Sequence, residues 1–508
     1  MSLAPFTNLA VLPRLRQLAD PTATQRALLK SITQNLTGSP VARALGLRGD
    51  ESFDEYRSIE PRDYSFYAPL VRRVLDGDAH AFGRRPVIAL GETSGTTGEP
   101  KLIPYNDASL DTLRRFIRLV LLFQLRQGRT FLPRFTKWLL VTASSNVRFA
   151  GQIPVGFVSG LVHYKTQQKR QGFILPSPEV AAVGDWDERI RRSAAEALKS
   201  RVGTLFGVPA YLARFLKEAS RQAGGQMLGE VWPHLDEVYY SGTALGAHLG
   251  EIESLTGRNV IARSLYMSTE GIFGAELDWN AGGQIRLLPD MNVMMFRDAD
   301  EETAGGKLRA MWELERGRRY ELIITTPSGL CQYGMKDVLE VTQTNPLLVR
   351  LAGRVGDEIN LATEKLSASQ AEKTMIETSR RSPVSPHKFV VLPDPTNARR
   401  HLWFTEREET TEAIDTAHVA QTIDEELARI NPSYAALRAN DAVLLSPRAV
   451  VLPCGAFDSY AQAGFAKRGQ FKFRHVFASG ERLRETAGMG ICVAHLDEEE
   501  IHVPAKRR

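Results

Sequence analysis

Residues 84–101 read RRPVIALGETSGTTGEPK, an apolar run followed by a loop rich in glycine, serine and threonine. The run from Arg84 to Leu90 predicts a β-strand that leads into the loop. Glycines let backbone amides approach a phosphate closely, hydroxyls donate further hydrogen bonds, and a lysine adds positive charge. A flexible surface turn is the alternative interpretation. The loop residues that we interpret as candidate phosphate ligands are Ser94, Gly95, Thr96, Thr97, Gly98 and Lys101.

The loop differs from two common catalytic patterns. Lys101 follows a proline and precedes a leucine, whereas the Walker loop has glycine before its lysine and Ser or Thr after it. Glu92 and Thr96 stand where a nucleophile elbow around Ser94 would need glycines. The sequence therefore favours neither a P-loop NTPase nor a serine hydrolase.

The composition is that of a folded, multi-domain protein. The chain has 508 residues, of which 43% are hydrophobic and 24% are charged, and a single core rarely extends over such a length. Lys plus Arg number 64 against 59 Asp plus Glu, a net charge of +5, and the basic residues are dispersed. Because nucleic-acid binders usually cluster basic residues, we expect no nucleic-acid partner.

Cysteines and apolar runs indicate the compartment. Cys331, Cys454 and Cys492 cannot all pair and show no zinc-ligand spacing, which favours a reducing environment. The longest apolar run, Phe116 to Leu125, is interrupted by polar residues and is too short to span a bilayer. The amino terminus shows no signal-peptide pattern. We therefore expect a cytoplasmic protein without a membrane partner.

Strand-like and helical runs alternate up to about residue 280, which predicts a mainly parallel α/β sheet. The strand-like runs are Lys137 to Val141, Gly203 to Phe206, Glu237 to Tyr240 and Asn259 to Ala262, and helical runs separate them. From Gly283 onward, strands joined by turns replace this pattern. We place a boundary near residue 350 and predict a small α+β domain beyond it.

Two further motifs point to one family. Residues 266–270 read YMSTE, and residues 317–330 read GRRYELIITTPSGL and continue to Asp337. Together with the loop, they resemble the auxin-responsive acyl-acid amido synthetases of plants, within the adenylate-forming superfamily. The resemblance implies an α/β fold with two parts. A large N-terminal adenylate-forming domain, residues 1–350, would have mainly parallel sheets with helices and a smaller β subdomain, and a small mobile α+β cap would comprise residues 351–508.

The resemblance also implies roles for particular residues. Tyr266 and Thr269 would contact the nucleotide, Glu270 would hold Mg²⁺, and Asp337 would bind the ribose hydroxyls. This use of Glu270 agrees with the preference of Mg²⁺ for carboxylate and phosphate oxygens. Val208 and Tyr211 are weak candidates for the acyl pocket, and core packing at helical spacing is an equal alternative for both.

Residues beyond the boundary supply further cations. Residues 351–360, LAGRVGDEIN, resemble the family's interdomain hinge, with Arg354 near the ribose and phosphate. Where many relatives have aspartate as the pivot, this chain has Gly356 followed by Asp357, so the resemblance leaves the pivot residue open. Lys365 resembles a lysine that faces nucleotide phosphate. Lys472, in an R-G-Q-F-K segment that lacks the family's usual insert, would assist adenylation.

The implied activity is that of a ligase. With ATP and Mg²⁺, it would adenylate a carboxylic acid and transfer the acyl group to an amine, for example that of an amino acid. An acyl-CoA ligase using the same first step, and a non-catalytic nucleotide- or acyl-binding relative, are the alternatives. The sequence leaves the acid, the amine and the oligomeric state open.

Overall fold

We used a computed structural model of the chain. It describes residues 18, 20–93, 101–126, 136–158, 160–161, 173–241, 246–277, 282–299, 307–355, 358–359, 361–362, 364, 366–408, 414–438, 443–468, 473–486 and 488–500.

The chain divides into two compact units whose sequences interleave. The first comprises residues 1–335 and 339–350, and the second comprises residues 336–338 and 351–508. We describe each unit separately.

The first unit contains helices and strands in alternation. Its helices are α1 (Pro21–Leu36), α2 (Pro40–Leu45), α3 (Phe53–Tyr56), α4 (Tyr64–Leu75), α5 (Asp107–Arg126), α6 (Pro178–Ala181), α7 (Trp186–Leu198), α8 (Pro209–Gln222), α9 (Leu228–Val231) and α10 (Gly246–Thr256), with a 3₁₀ turn at Met311–Glu313. The strands up to the middle of the chain are β1 (Ala89–Glu92), β2 (Leu102–Tyr105), β3 (Lys137–Val141), β4 (Arg148–Ala150), β5 (Ile153–Gly156), β6 (Ile174–Leu175), β7 (Val202–Gly207), β8 (Glu237–Tyr240) and β9 (Ile261–Met267). Those that follow are β10 (Ile272–Ala275), β11 (Ile285–Leu287), β12 (Val293–Asp298), β13 (Arg309–Ala310), β14 (Arg319–Thr325), β15 (Tyr333–Thr344) and β16 (Leu347–Arg354), of which residues 336–338 and 351–354 belong to the second unit.

A twelve-stranded mixed sheet forms the framework, in the order β13-β12-β14-β15-β16-β11-β10-β9-β8-β7-β3-β6. Strands β6, β3, β7, β8 and β9 pair in parallel, whereas β9, β10, β11 and β16 pair antiparallel in succession. A second sheet, β2-β1-β5-β4, carries the strand that precedes the glycine-rich loop. The predicted α/β class, with a mainly parallel region and a β-rich part, is confirmed.

Local sequence signals explain where helices begin. The side chain of Asp185 caps α7 by accepting a hydrogen bond from the Glu188 amide, and Ser52 and Glu55 form a capping box on α3. Proline at the first position starts α8 directly after β7, where its missing amide costs no hydrogen bond. The local sequence around Pro209 therefore determines where β7 ends and where α8 begins.

The second unit has its own sheet and cores. Its elements are β17 (Glu358–Ile359), β18 (Leu366–Ser367), α11 (Ala368–Ser379), β19 (Val384–Pro393), β20 (His401–Arg407), α12 (Thr416–Ile430), α13 (Pro432–Arg438), β21 (Arg448–Leu452), α14 (Asp458–Arg468), α15 (Gly480–Arg484) and α16 (Gly490–Glu500). Strands β19, β20 and β21 form one sheet. Phe389 and Val391 of β19 join one apolar cluster and Val390 and Leu392 join another, because successive side chains of a strand point to opposite faces. Both faces of this sheet are therefore buried.

The first predicted strand is displaced. The pattern predicted a strand from Arg84 to Leu90, but β1 begins at Ala89 and extends to Glu92. Pro86 has no amide hydrogen to donate, and the first bond to the neighbouring strand runs from the Ile88 amide to the Tyr105 carbonyl, 2.8 Å away. As a result the strand extends into the beginning of the glycine-rich loop.

Candidate nucleotide-binding site

The carboxyl ends of the parallel strands converge on one edge of the large sheet. Phe206 of β7 lies beside Tyr239 of β8, with their rings stacked 4.8 Å apart. The 266–270 motif follows at the end of β9, the next strand in the sheet. Open parallel sheets bind ligands at this edge, which makes it the place to test the predicted residues.

The base of the glycine-rich loop is closed by hydrogen bonds. The Thr93 amide donates to the Lys101 carbonyl at 2.9 Å, and the Lys101 amide donates to Thr93 Oγ1 at 3.0 Å. Because β1 and β2 pair antiparallel on either side, Thr93 and Lys101, which flank residues 94–100, are held close together. Ser94, Gly95, Thr96, Thr97 and Gly98 lie outside the described residues, so their phosphate contacts stay a prediction.

Gly91 brings β1 against the 266–270 motif. A Cβ atom built on Gly91 would lie 2.8 Å from Tyr105 Cε2 and 3.0 Å from Thr269 Cγ2, closer than van der Waals contact allows. The Tyr105 hydroxyl also donates a hydrogen bond to the Thr269 carbonyl. The absence of a side chain at Gly91 therefore lets two segments, about 180 residues apart in sequence, meet directly.

Glu270 has the chemistry expected of a magnesium ligand. Its Oε2 accepts a 2.7 Å hydrogen bond from Ser268 Oγ, which in turn accepts one from the Glu270 amide at 3.1 Å. Burial raises the pKa of the Tyr105 phenol, and the charge of Glu270 raises it further. The neighbouring phenol therefore stays protonated beside a half-buried carboxylate. An oriented, partly solvated carboxylate of this kind fits a hard divalent cation.

Lys101 extends from the loop base to two tyrosines. Its Nζ lies 3.4 Å from the Tyr333 hydroxyl and 5.6 Å from the centre of the Tyr64 ring. The Tyr64 hydroxyl is fixed by the main chain of Leu102, whose amide donates to it at 2.8 Å. A cation held over one aromatic face and against one phenol is well oriented for an anion.

Tyr333 is the first residue of β15 and the last of a segment, residues 320–333, that is buried throughout. Asn106 Nδ2 donates to the Pro327 carbonyl at 2.8 Å, and the Cys331 amide donates to the Tyr67 hydroxyl at 3.1 Å. Gly329, with φ of +101°, passes so close to Phe82 that a Cβ would lie 2.5 Å from its carbonyl oxygen. The segment most typical of the family is therefore a rigid core hairpin that fixes Tyr333.

Of three other candidates in the first unit, two pack against aromatic rings and one is half-buried. Tyr266 is 6% exposed and its ring lies 4.9 Å from that of Phe273. Tyr211 is 2% exposed and packs against Trp186 at 4.6 Å between ring centres. Val208 is half-buried and precedes α8. The nucleotide role of Tyr266 and the acyl-pocket roles of Val208 and Tyr211 stay predictions.

Two candidates of the second unit pair with each other. Arg354 Nε lies 3.1 Å from Asp337 Oδ1, and the Asp337 side chain is 14% exposed. The adjacent Val355 amide donates to the Lys336 carbonyl at 2.6 Å, and Lys336 has φ of 62°, unusual for a residue other than glycine. Arg354 and Asp337 thus form an ion pair, and both stay candidate ribose and phosphate ligands.

Lys365 and Lys472 lie outside the described residues, although both have described neighbours. Phe473, which follows Lys472, packs edge-on against Tyr460 at 4.9 Å and stacks on His475 at the same separation. The Val391 amide of β19 donates to the His475 carbonyl at 2.8 Å. The chain directly after Lys472 is therefore anchored to the sheet of the second unit.

Gly91 and Tyr333 lie within motifs quoted from the sequence, but no separate role was predicted for them or for Tyr105. Each acts through a contact with a residue distant in sequence, and pattern alone gives no sign of such a contact. The antiparallel strands around the loop would have indicated that Thr93 and Lys101 close its base.

Within the described part of the chain, every helix is too short or too polar to cross a lipid bilayer.

The fold is similar to that of a solved acyl acid amido synthetase. AtGH3.15 acyl acid amido synthetase, solved in complex with 2,4-DB, superposes with a TM-score of 0.76 at 16% identity, over 95% of this chain and 97% of that one. This chain therefore shares its fold with that protein.

The chain belongs to the GH3 family. The family's N-terminal domain matches residues 15–207, its central domain matches residues 287–354 and its C-terminal domain matches residues 369–481. The resemblance seen in the sequence is thereby confirmed.

Curated relatives are distant. The probable indole-3-acetic acid-amido synthetase GH3.2 of Oryza sativa subsp. japonica is 23% identical over 63% of this chain. Indole-3-acetic acid-amido synthetase GH3.4 of Arabidopsis thaliana is 28% identical over 29% of this chain. The chain spans 63% and 26% of the lengths of these two relatives, less than two thirds in each case.

Proposed function

We propose that this protein is an ATP-dependent acyl-acid amido synthetase. In the first half-reaction, a carboxylate oxygen of the acid attacks the α-phosphate of ATP and expels pyrophosphate. In the second, an amine attacks the acyl carbon and AMP leaves. Because AMP is a much better leaving group than hydroxide, the amine can displace it and form the amide bond.

The meeting of Gly91 with Thr269 is the observation that supports this proposal most strongly. It joins the glycine-rich loop and the carboxylate-bearing motif into one site, with Lys101 at the end of the loop. A phosphate loop, an oriented carboxylate and a fixed ammonium are the groups that a nucleotide and its magnesium ion need. Family membership gives the same chemistry its most direct explanation.

Each candidate residue would have its own role. The phosphates would be held by Ser94, Thr96, Thr97 and Lys101, with Lys365 binding a further phosphate. The ribose side of the nucleotide would be bound by Asp337 and Arg354. Glu270 would hold Mg²⁺, which offsets repulsion between the acid and ATP. Lys472 would stabilise charge that develops between the acid and the α-phosphate. A mobile C-terminal domain, moving about the segment near Arg354, would then admit the amine.

The first half-reaction is tested by exchange of labelled pyrophosphate into ATP in the presence of a panel of carboxylic acids. We expect exchange that depends on one class of acid. If a folded, ATP-binding protein shows no exchange with any acid, it is not an adenylating enzyme. The second half-reaction is then tested by offering amino acids or coenzyme A to the adenylate, since a thioester product would make the protein an acyl-CoA ligase.

Glu270→Gln tests the magnesium role. It keeps the size of the side chain but removes the charge, so we expect at least about a hundredfold lower exchange and a higher Mg²⁺ requirement. The exposed Glu230 at α9 gives a matched control, since Glu230→Gln changes the net charge equally at a distant surface. Equal losses in the two variants would contradict the assignment.

Lys472→Ala separates catalysis from binding. We expect adenylate formation to slow by about a hundredfold or more while the affinity for ATP falls much less. Equal loss of rate and affinity would contradict a role confined to the reacting groups.

A further inference from the structure

Two cations of the first unit lie over aromatic rings at the start of α4. Lys101 Nζ is 5.6 Å from the centre of the Tyr64 ring, and the Arg62 guanidinium carbon is 5.4 Å from the centre of the Phe66 ring. Tyr64 and Phe66 belong to the first turn of α4. An aromatic face attracts a cation but uses none of its N–H donors. Each ring therefore orients a cation without occupying its hydrogen-bond donors.

The main chain of Arg62 is bound to the segment that carries Tyr333. The Arg62 amide donates to the Gln332 carbonyl at 2.7 Å, and the Gly334 amide donates to the Arg62 carbonyl at 2.9 Å. Arg62 and Tyr333 thus form a parallel bridge and lie side by side. Because side chains alternate between the two faces of a strand, residues that pair in this way leave the main chain on the same face. The Tyr333 hydroxyl ends 3.4 Å from Lys101 Nζ, so the side chain of Arg62 starts on the side of Lys101.

The charge of Arg62 acts on the same group of aromatic rings. The Tyr67 ring lies 5.0 Å from that of Phe66 and 5.8 Å from that of Tyr333. Burial raises the pKa of the Tyr67 phenol, and the positive charge of Arg62 opposes that shift. An effect of this kind requires the guanidinium to lie near the phenol, which agrees with a position of Arg62 beside Tyr333.

The carboxylate between Arg62 and Tyr64 is directed to the helix. Asp63 Oδ1 accepts hydrogen bonds from the Ser65 amide, at 2.9 Å, and from the Ser65 hydroxyl, and so caps α4. The two cations and the partial positive charge at the amino terminus of the helix outweigh this carboxylate. The surroundings of the first turn therefore favour an anion.

Lys101 and Arg62 differ in exposure. Lys101 is half-buried at the base of the glycine-rich loop, whereas Arg62 is exposed. An anion that contacts both cations would have its inner part at Lys101 and its outer part at Arg62. Two like charges near one another repel, and an anion with several charges offsets that repulsion. A chain of phosphates has both the length and the charge for such a site.

We propose that Arg62 is a second phosphate ligand, which binds the terminal phosphates of ATP that depart as pyrophosphate. Lys101 meets the phosphates at the base of the loop, and Arg62 meets them further out, at the exposed rim. This inference rests on the proposed function, because the cleavage of ATP to AMP and pyrophosphate is taken from there. It adds to the site a residue that lies in neither the glycine-rich loop nor the 266–270 motif.

Calorimetric titrations of ATP, pyrophosphate and AMP into the full-length protein test the assignment, without any acid, so that no adenylate forms. We expect Arg62→Gln to weaken the binding of ATP and of pyrophosphate by about tenfold, the loss of one hydrogen bond to a charged group. AMP lacks the terminal phosphates, so its affinity should stay the same. Equal weakening of all three ligands, or of none, would overturn the proposal.

Arg26→Gln is the matched control. Arg26 is also exposed, and its guanidinium carbon lies 6.0 Å from the centre of the Trp312 ring in the same unit. The substitution removes the same charge and the same kind of contact with a ring at another place. We expect it to leave the affinities for ATP and pyrophosphate unchanged. An equal loss there would show a general effect of net charge, and the assignment of Arg62 would be wrong.

Two further variants separate the charge of Arg62 from its orientation. Arg62→Lys keeps the charge without the planar set of donors, so it should recover part of the affinity for pyrophosphate that Arg62→Gln loses. Phe66→Leu removes the ring that orients Arg62, and the double variant with Arg62→Gln should bind pyrophosphate no worse than Arg62→Gln alone. No recovery in Arg62→Lys, or additive losses in the double variant, would contradict the proposal.

Failure of the proposed function would look different. If no carboxylic acid supports exchange of pyrophosphate into ATP, the protein does not adenylate, yet the affinities of the Arg62 variants for ATP and pyrophosphate still decide whether Arg62 binds phosphate. If exchange occurs and Arg62→Gln raises the KM for pyrophosphate no more than Arg26→Gln does, this inference is wrong and the proposed function stands. If the unaltered protein does not bind ATP, both proposals are overturned.

Discussion

Lys101 is the candidate phosphate ligand of the loop whose surroundings the structure describes. Its ammonium lies 3.4 Å from the Tyr333 hydroxyl and over the Tyr64 ring. These contacts hold a flexible side chain in one place, so less conformational entropy is lost when it meets a phosphate. A lysine that is held before its ligand arrives contributes more binding free energy than a mobile one.

Lys101→Met should therefore raise the KM for ATP by about ten- to a hundredfold, which corresponds to the loss of a charged hydrogen bond. Tyr333→Phe removes only the hydroxyl and should raise the KM a few-fold. Steady-state pyrophosphate exchange at varied ATP gives both values. Lys199→Met, at an exposed lysine of the same unit, is the control, and an equal effect there would refute the site.

Charged residues of this site could be found from the sequence, but their partners could not. Lys101 and Glu270 stand in recognisable motifs, and unpaired lysine and glutamate side chains are almost never fully buried in a core. Tyr333 was part of a quoted motif, yet an aromatic residue in an apolar run is also typical of a core. Its partner lies 232 residues away, and only the folded chain reveals such a contact.

Among elements, β1 is the one whose position the site depends on. It begins at Ala89 and ends at Glu92, and its central Gly91 leaves room for Thr269, Tyr105 and Val158. The loop and the carboxylate motif are adjacent only because this strand fits against its neighbours without a side chain at that point.

Gly91→Ala should push these segments apart. Three side-chain atoms would lie within 3.1 Å of the new methyl group, so we expect a loss of about 1 to 3 kcal/mol in the free energy of unfolding and weaker ATP binding. Denaturant unfolding and calorimetry measure the two effects. Gly184→Ala adds the same methyl in open space, and a similar loss there would show that the close approach at Gly91 is unimportant.

His475, three residues after Lys472, lies beside Glu372 of α11, and the two side chains have opposite pH behaviour. His475 Nε2 lies 3.9 Å from Glu372 Oε1. Burial lowers the pKa of His475 to about 4, with the hydrogen bond to the Phe389 carbonyl opposing it. Burial raises the pKa of Glu372 to about 7, with nearby Lys373 opposing it. Around pH 5 to 6 both side chains are therefore neutral in the folded protein.

Single variants should show how each side chain makes the free energy of unfolding depend on pH. Between pH 4 and 6.5 His475 binds a proton in the unfolded chain but not in the folded protein. In Glu372→Gln the free energy of unfolding should therefore rise with pH, by up to about 3 kcal/mol. In His475→Gln the free energy of unfolding should instead fall as pH rises from 4.5 to 7, because Glu372 keeps its proton to a higher pH in the folded protein than in the unfolded chain. The second effect should be smaller, since 28% of the Glu372 side chain stays exposed. Denaturant titrations at several pH values test this, and parallel slopes in the two variants would contradict it.

Most regular elements could be predicted because their periodicity is strong. The predicted strands Lys137 to Val141 and Glu237 to Tyr240 agree with β3 and β8 residue for residue. The two- and three-residue strands β4 and β6 are too short to show a pattern. The hydrogen-bond partner of Ile88 decided the start of β1, and that partner lies on another strand.

For the whole molecule, separate cores imply separate stability. One core of the first unit surrounds Leu322 and Phe296, and one core of the second surrounds Trp403 and Leu427. Proteins with several domains commonly unfold in more than one step, because each core can be lost independently.

Leu427→Ala should therefore lower one calorimetric transition and leave the other in place, and Leu322→Ala should do the reverse. Both side chains are fully buried, so each loss should be about 2 to 5 kcal/mol for the unit concerned. Differential scanning calorimetry of the two variants is the measurement. A single transition that both substitutions shift alike would show that the units unfold as one.

The interleaving of the two units has a consequence for proteolysis. Residues 336–338 belong to the second unit although residues 339–350 return to the first, and β15 and β16 are neighbours in one sheet. A protease that cuts the turn between Thr344 and Leu347 would break one peptide bond, yet each fragment would keep residues of both units. We expect the nicked chain to remain assembled under native conditions and to separate only in denaturant, so that a complementing pair of fragments could be expressed from split genes.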